Sequence, residues 1–297
     1  MLPTQPRYAY SAIAQRPDYS WPHGRRLAAY VAINAEVFAY GQGKGSAIAP
    51  PDQAYAHSVY AWRDYGNRVG FWRLIELLDE LALPAEAQLN TELYEMAPEI
   101  PQALRQRGHE ILGHGLTNSE EQGILREELE RELIHKVTSA IVRHEGRQPL
   151  GWMSPWLSNS PVSLDLLQEA GYRYVMDWGM ADDQPFWLRC RAGRLLSMPY
   201  PIELNDNRAI VWLHATAAEF ADMIISEFDE MLAESRRRPL VFRLSLHPFV
   251  IGQAFRLREL RRALRHIARH RDDIWLTRPG EICRHIESLP AGIVPGG

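Results

Sequence analysis

The sequence predicts an α/β protein, folded in a single domain as a closed or nearly closed (β/α) barrel. Three observations predict this fold. Short apolar runs typical of buried strands alternate with segments of helical periodicity about seven times, which favours parallel strands joined by helices. The chain has no duplicated glycine-rich phosphate loop of the kind found in doubly wound sheets. No linker, internal repeat or low-complexity tract divides its 297 residues.

The first predicted strand covers residues 25–34, a mainly apolar run between WPHG and a glycine-rich loop. Residues 36–65 contain GQGKG and APP without a sustained period, so we predict a long irregular loop at the exit of that strand. Loops of this length are usually functional or mobile. A helix is predicted at 69–83, where large apolar residues recur at helical spacing.

The same alternation continues to the end of the chain. The remaining strands are predicted at 85–90, 109–114, 150–154, 172–178, 194–202, 240–248 and 273–277, and the remaining helices at 97–108, 118–146, 160–171, 217–235, 256–270 and 279–288. Ser119 followed by Gln122 has the spacing of a capping box at the start of one helix. Ser160 with Pro161 is typical of the N-cap and first position of another.

Composition and charge exclude several classes of protein. The chain has 33 basic and 37 acidic residues, a net charge of −4, so no basic surplus favours a nucleic-acid or anionic-membrane partner. The arginine-rich stretch 256–271 is interpreted as an outer barrel helix. No run approaches the roughly 20 apolar residues needed to span a bilayer. The N-terminal residues lack the apolar stretch of a signal peptide, and two cysteines give no disulfide framework, so a cytoplasmic protein is expected.

Polar and aromatic residues stand where several predicted strands end. Active sites of parallel barrels lie at the carboxyl ends of the strands, so these residues are expected to converge on one rim. The set is Asn34, Glu36, His114, Asn118, Trp156, Asn205, Asp206 and His247. Asp177 with Trp178 ends one further strand.

Each of these residues also has a structural explanation when taken alone. Asn34, Asn205 and Asp206 are common where a chain turns, and Glu36 could be a solvated loop residue. His114 and His247 could be buried histidines with satisfied hydrogen bonds, and Trp156 could belong to the core. The coincidence of two histidines, a carboxylate and several amides at separate strand ends favours a functional cleft.

This set of groups suits the attack of water on a carbonyl carbon. A carboxylate or an imidazole can take a proton from water. A second imidazole, or amide N–H groups, can protonate the leaving nitrogen or stabilise the oxyanion. The sequence has no G-x-S-x-G, G-x-x-x-x-G-K-[ST] or strand-linked G-x-G-x-x-G motif, so a serine nucleophile and a nucleotide phosphate loop are not indicated.

Four segments together resemble the polysaccharide deacetylase (NodB-homology) family. They are the strand ending in Asn-x-Glu, RGHEILGHGLTNS, GWMSPWLSNSPVSLDLLQEAGYRYVMD and LVFRLSLHPFVIGQAFRLRELRRAL, and the resemblance spans about residues 25 to 285. YAWRDYGNRVGFWRLIELL at 60–78 resembles a cytosolic branch of allantoinase-like and cyclic-imide-hydrolase-like members. The fold that this resemblance implies is a distorted (β/α)7 barrel.

The sequence departs from the family's metal-binding pattern. Family deacetylases typically end their first strand in Thr-Phe-Asp-Asp, which supplies a base and a metal ligand, and carry a His-x-x-x-His ligand pair. Here the strand ends in Asn34-Ala35-Glu36-Val37, and Asn118 stands four residues after His114. In one register Glu36 takes the base position. In the other, Asn34 stands there and Glu36 could still bind a metal. An amide oxygen is a poor zinc ligand, so no tightly bound metal is expected. A weakly bound zinc would use Glu36, His114 and Asn118.

The resulting prediction is a hydrolase of a non-peptide carbon–nitrogen bond in a small amide, ureide or cyclic imide. Glu36, His114 and His247 are the predicted catalytic residues. The predicted substrate-binding residues are Asn34, Arg68, Asn118, Trp156, Asn205 and Asp206. A metal-dependent carbohydrate N-deacetylase and a non-catalytic binding member of the family are the alternatives.

The same reading predicts how the chain is organised and what it binds. Residues 1–24 are expected to be an N-terminal extension, 25–290 the catalytic barrel and 291–297 a tail. The expected ligand is a small molecule, with no nucleic-acid or membrane partner. Homo-oligomers, which the allantoinase-like branch suggests, are expected.

Overall fold

A mainly parallel nine-stranded sheet organises the computed structural model, which describes residues 4–42 and 57–297. The strands are β1 Leu27–Ala35, β2 Ala85–Leu89, β3 Glu110–Gly113, β4 Gly151–Trp152, β5 Tyr174–Val175, β6 Phe186–Cys190, β7 Gly193–Ser197, β8 Leu240–Leu246 and β9 Trp275–Leu276. Every residue of β1 and β2 is buried, as expected of parallel strands that are covered on both faces.

Helices follow most strands and cover the outside of the sheet. The α-helices are α1 His57–Tyr65, α2 Phe71–Leu81, α3 Leu93–Met96, α4 Glu99–Gln106, α5 Glu127–Glu145, α6 Ser163–Glu169, α7 Ala217–Ser235, α8 Pro248–Ile251, α9 Ala254–Arg269 and α10 Pro279–Ser288. Two π-helical segments, Gly66–Gly70 and Asn207–Trp212, stand at the rim. Thr216 and Glu219 form a reciprocal capping box that starts α7.

The strand order is β6-β7-β5-β4-β3-β2-β1-β8, with β9 also paired to β1. Every pair is parallel except the β6–β7 hairpin, so the parallel strands direct their carboxyl ends to the same side of the sheet. The predicted single-domain α/β fold with a parallel sheet is confirmed. Among the described residues no ladder joins β8 to β6 or β7. The isolated parallel bridge between Asn205 and Ser245 brings the chain after β7 beside β8 instead.

The sheet separates two hydrophobic clusters. One face of β1 places Ala28, Tyr30 and Ala32 in an inner cluster with residues of β3, β5, β7 and β8. The other face places Val31 and Ile33 in the larger cluster under the helices. Helix α10 contributes Ile282, Cys283 and Ile286 to the inner cluster, so it covers that interior. The rim that carries the polar residues therefore stands on a rigid, well-packed support.

The structure corrects several predicted elements. Residues 57–65 form α1 where the sequence predicted loop, and residues 43–56 of that predicted loop lie outside the described residues. Strand β6 was not predicted, because its hairpin is the one antiparallel pair in an otherwise parallel pattern. Helix α5 begins at Glu127 rather than 118, and the Ser119 hydroxyl accepts a hydrogen bond from the Ala39 amide instead of capping it.

The start of α6 also differs from the prediction. This helix begins at Ser163 with Val162 as its N-cap, three residues after the predicted cap Ser160. The Ser160 hydroxyl accepts from the Val162 amide and donates to Glu130, so it stabilises the turn before the helix. None of the described helices combines the length and the apolar character that a membrane span requires.

Candidate active site

The carboxylate of Glu36 lies between two imidazoles at the carboxyl ends of the strands. Its Oε1 is 3.6 Å from His114 Nε2 and 3.7 Å from His247 Nε2. Glu36 follows β1, His114 follows β3, and His247 follows β8. The exposed fractions of the three residues are 7%, 1% and 6%. Parallel pairing of β1 with β8 and of β2 with its two neighbours therefore brings the three residues together from positions far apart in sequence.

His247 is held by a buried aspartate. Its Nδ1 lies 2.7 Å from Asp206 Oδ1, and its backbone amide donates to both oxygens of the same carboxylate. Burial acts to lower the pKa of His247, but the charges of Asp206 and Glu36 outweigh it and raise that pKa above its usual value. Because Nδ1 donates to Asp206, Nε2 of the imidazolium carries a proton that faces Glu36.

A hydrogen bond to the backbone fixes the tautomer of the neutral His114 ring. Its Nδ1 lies 2.8 Å from the carbonyl oxygen of Met153, which can only accept, so Nδ1 carries the proton. In the neutral ring Nε2 is then an acceptor, and this atom is buried without a hydrogen-bond partner. Glu36 Oε1 and His114 Nε2 are both acceptors, so one water molecule can donate a hydrogen bond to each of them.

The three asparagines predicted at the site do different things. Asn34 donates from Nδ2 to the Ser245 hydroxyl and to the Leu246 carbonyl, which ties β1 to β8, while its Oδ1 is buried and unpartnered. The side-chain Oδ1 of Asn118 is also buried without a partner. Asn205 accepts from the amides of residues 207 and 208 and so starts the π-helical turn that follows Asp206. Asn205 thus has a structural role in this arrangement.

The structure does not bring Arg68 to the cleft. Its side chain is 76% exposed and lies 3.7 Å from Asp64 on the same helical face. Arg63, in the same motif, is 6% exposed, and its guanidinium carbon is 3.9 Å from the ring centroid of Phe38. Burial lowers the pKa of Arg63, and the nearby charge of Glu36 opposes that effect. Helix α1 directs Arg63 inward, and because residues 36–65 were predicted as loop, the sequence pattern indicated no side-chain direction at this position.

A cluster of aromatic side chains lies beside His247. Phe249 has its ring centroid 5.7 Å from that of His247 and 6.2 Å from that of Phe38. Trp156 lies 6.3 Å from Phe38 and donates from its indole nitrogen to the Asn118 carbonyl. Its φ of 62° is unusual for a residue other than glycine, so the turn after β4 holds the backbone of Trp156 in a strained conformation. Trp156 thus lies in the same aromatic cluster as Phe38 and Phe249.

One short segment connects the two sides of the cleft. The Asn67 side chain donates to the Glu36 carbonyl oxygen at 2.9 Å. Gly66 and Gly70 flank it, and a Cβ on either would lie within 2.8 Å or 2.1 Å of the backbone of Phe249 or Pro248, directly after His247. The glycines of the Tyr-Gly-x-Arg-x-Gly motif thus permit a close approach that no larger residue allows.

Asp177 is a buried carboxylate that the list of candidate site residues missed. Its Oδ1 accepts from the Ser154 amide and from Asn159 Nδ2, and its Oδ2 is unpartnered. Burial raises the pKa of Asp177 to about 6, and the nearby His114 opposes that shift. The signal that could have found it is its position at the end of a predicted strand beside the histidine.

The donor atoms do not fit a tight zinc site. His114 Nε2, Asn118 Oδ1 and the Glu36 carboxylate offer one imidazole, one amide and one carboxylate, whereas catalytic zinc sites use three strong protein ligands. Among the described residues, the group of three His, Cys, Asp or Glu ligand atoms that lie within 4.8 Å of one another is Asp229, His266 and His270, on the outer helices. The orphaned atoms in the cleft are equally suited to a substrate.

The cavity beside Glu36 is small compared with another cavity of the molecule. A very small cavity beside Glu36 is lined by Val37, Phe38, Arg63 and Asn67, among others. A much larger cavity, about 1160 Å³, lies between residues 7–16 and the β6–β7 hairpin. We assign the site by its convergent polar groups rather than by cavity size, because the large cavity does not contain the unpartnered buried groups.

Comparison with known proteins gives consistent matches. The model of the family described as polysaccharide deacetylase matches residues 53–175. A peptidoglycan deacetylase of Helicobacter pylori is 21% identical over 244 residues, covering 72% of this chain and 82% of its own.

Two solved structures are similar over most of their length. The Puue allantoinase superposes with a TM-score of 0.83 at 25% identity, covering 95% of this chain and 98% of its own. A "probable polysaccharide deacetylase" of Pseudomonas aeruginosa PAO1 superposes with a TM-score of 0.79 at 26% identity, covering 89% and 92%.

Proposed function

Because the chain carries a polysaccharide deacetylase (NodB-homology) domain and is a hydrolase of carbon–nitrogen bonds other than peptide bonds, we propose a substrate class for it. It hydrolyses a carbon–nitrogen bond in a small cyclic imide, ureide or amide. The observation that carries this proposal is the shared oxygen of Glu36, 3.6 Å and 3.7 Å from the two imidazole nitrogens. This arrangement supplies a base and an acid without requiring a metal hydroxide. It therefore suits a carbonyl that is already activated.

The proposed first step is attack of water on the substrate carbonyl. The water donates hydrogen bonds to Glu36 Oε1 and His114 Nε2, and Glu36 takes its proton as the carbon–oxygen bond forms. The charge that develops on the carbonyl oxygen is stabilised by positioned donors, of which the imidazolium of His247 is the nearest to Glu36.

The proposed second step is loss of the leaving nitrogen. The carbon–nitrogen bond breaks as His247 Nε2 delivers its proton to that nitrogen, and the proton held by Glu36 then restores the imidazolium. A ring-opened acid is the product of a cyclic imide. Asp206 keeps the imidazole of His247 oriented through both steps.

An activated substrate follows from the donor set. Zinc lowers the pKa of its bound water to about 7, and a site that lacks a tight metal relies on the carboxylate and imidazoles for that work. Electron-poor imides and ureides are easier to attack than an N-acetyl group. The similarity to the solved structure of an allantoinase supports the same substrate class.

A metal-dependent carbohydrate N-deacetylase is the second candidate. Two observations favour it: the unpartnered buried atoms His114 Nε2 and Asn118 Oδ1, and the deacetylase names of two of the similar proteins. These two atoms, with Glu36, would hold a weakly bound divalent ion.

The test compares substrates and metal dependence in one preparation. We expect the purified full chain to hydrolyse hydantoin-, succinimide- or ureide-type compounds, to leave N-acetylated oligosaccharides intact, and to keep its kcat/KM after chelation. Elemental analysis measures the metal content before and after. An ion in stoichiometric amount whose removal abolishes turnover, together with deacetylation of the oligosaccharides, contradicts the first proposal and supports the second. Inertness toward every compound contradicts both.

A further inference from the structure

Two histidines and an aspartate meet on the outside of the molecule, away from the cleft. His266 lies in the last turn of α9, and His270, four residues on, is the C-cap that ends this helix. The centroids of their two rings are 5.5 Å apart. Asp229 lies opposite on α7, and its Oδ1 is 2.6 Å from His266 Nε2. One ligand atom from each of the three residues lies within 4.8 Å of the other two.

We infer that Asp229, His266 and His270 form a surface site for a zinc-like divalent cation. Imidazole nitrogen and carboxylate oxygen are ordinary zinc ligands, and three protein ligands leave one position for water. The side chains are 52%, 27% and 34% exposed, so an ion can enter from solvent and keep that water. A pair of histidines four residues apart on a helix is a recurrent metal-binding arrangement.

A second layer of contacts orients these ligands. His270 Nδ1 lies 3.1 Å from Asp273 Oδ2, which holds the proton on Nδ1 and leaves Nε2 free to bind. Below the two imidazoles stands the fully buried ring of Phe228, with its centroid 5.9 Å from His266 and 5.6 Å from His270. Phe228 precedes Asp229 directly, so the floor and the carboxylate ligand belong to the same helical turn.

The surrounding charges permit a cation here. Two arginines of α9 are paired with carboxylates, Arg262 with Asp222 and Arg265 with Glu80, both at 2.8 Å. Arg269, which directly precedes His270, is exposed to solvent, where its charge is screened. The bound ion would replace the direct contact between Asp229 and His266. It would also join α7 to α9, the two helices that pack closely together outside β8 and β1.

The experiment measures zinc binding by the tag-free full chain, with zinc ions alone as the probe. We expect about one equivalent to bind in competition with a chromophoric chelator. Loss of direct ligands weakens metal binding strongly, so the double variant His266→Asn with His270→Asn should lose at least 100-fold in zinc affinity. Loss of an outer hydrogen-bond partner typically weakens binding 10- to 100-fold, so Asp273→Asn should lose about tenfold. His135→Asn, an exposed histidine on α5, is the matched control and should bind as the unchanged protein does.

Two further measurements separate this site from the cleft. Zinc should still bind to His114→Asn, and cobalt(II) added in place of zinc should give visible ligand-field bands that disappear in the double variant. Circular dichroism establishes that each variant is folded. Equal zinc affinity in the double variant and the unchanged protein, or loss of the zinc equivalent in His114→Asn alone, overturns the inference.

Discussion

At the scale of single residues, the Glu36 carboxylate faces two imidazoles that have different hydrogen-bond partners. His114 presents an acceptor because its other nitrogen donates to Met153, and His247 presents a donor because its charge is stabilised by Asp206. Neither imidazole is within direct hydrogen-bond distance of Glu36, which leaves space for a bridging hydrogen-bonded group.

Glu36→Gln tests the carboxylate. The amide has nearly the same shape but cannot take a proton, so kcat/KM on the responsive imide or ureide should fall by about 10²- to 10⁴-fold, the usual contribution of general acid–base catalysis. Steady-state kinetics measures the loss, and thermal unfolding monitors the fold. Glu203→Gln, an exposed residue on the loop after β7, is the control and should keep full activity. Activity in Glu36→Gln within threefold of the unchanged protein would exclude Glu36 as the base.

Asp206→Asn tests the charge on His247. The pKa of His247 is raised because Asp206 and Glu36 outweigh burial, and removal of the aspartate charge should lower it. If the imidazolium is the acid, activity is lost as the pH rises through that pKa, so the basic limb of the kcat/KM profile should move to lower pH in the variant. Asp79→Asn, an exposed partner of Arg107, should leave the profile in place. A basic limb that does not move rules out His247 as the group that titrates there.

The positions of these residues relative to the predicted elements explain which parts of the site were predictable. Glu36, His114 and His247 stand at or just beyond the carboxyl ends of predicted strands, so the parallel rule alone brings them together. Asp206 lies four residues after the predicted strand 194–202. Arg63 and Arg68 stand in one motif, and only the course of α1 distinguishes the buried one from the exposed one. Side-chain direction at an unpredicted helix could not be obtained from periodicity.

At the scale of elements, most boundaries followed from apolar periodicity. Helices α7 and α10 begin and end at the predicted residues. An amphipathic pattern coincides with a capping box at the start of α7 and with Pro279 at the first position of α10. The start of α5 was wrong, because tertiary contacts use Ser119 elsewhere. Strand β6 pairs only in a local hairpin and was missed for that reason.

Gly70→Ala tests the close approach between the π-helical segment and α8. The added Cβ would lie 2.1 Å from the Pro248 carbonyl oxygen, and backbone has to move to admit it. We expect a loss of roughly 1–3 kcal/mol in the free energy of unfolding, typical of overpacking, together with lower kcat/KM because His247 precedes Pro248. Chemical denaturation and kinetics measure the two effects.

Gly193→Ala is the matched control for that substitution. Its added Cβ would meet the flexible end of the Gln168 side chain at 3.4 Å, so stability and activity should change little. Equal behaviour of the two variants would show that the approach at Gly70 is not tight.

At the scale of the whole molecule, buried ionisable groups make stability depend on pH. His109, between α4 and β3, is 5% exposed, and its Nδ1 accepts from the Ala85 amide. Burial lowers its pKa from 6.5 to about 4. The unfolded chain therefore takes up a proton below pH 6.5, whereas the folded protein does so only near pH 4. Acidification stabilises the unfolded state through this residue.

His109→Gln, which keeps an acceptor without the titration, tests this linkage. Between about pH 7.5 and about pH 5 the unchanged protein should lose roughly 2 kcal/mol more than the variant in its free energy of unfolding. Urea denaturation of both proteins at each pH gives the difference and cancels Asp177, whose raised pKa acts in the opposite direction. Parallel pH curves for the two proteins would show that His109 is not the source.

The contacts of residues 66–70 have a mechanical consequence. The Asn67 side chain donates a hydrogen bond to the backbone carbonyl of Glu36, while Gly66 and Gly70 pack against the residues that follow His247. One short segment therefore contacts the chain on both sides of the cleft, and the separation of Glu36 from His247 depends on its packing. If the proposed function holds, a cleft of fixed width would favour flat rings over puckered sugars.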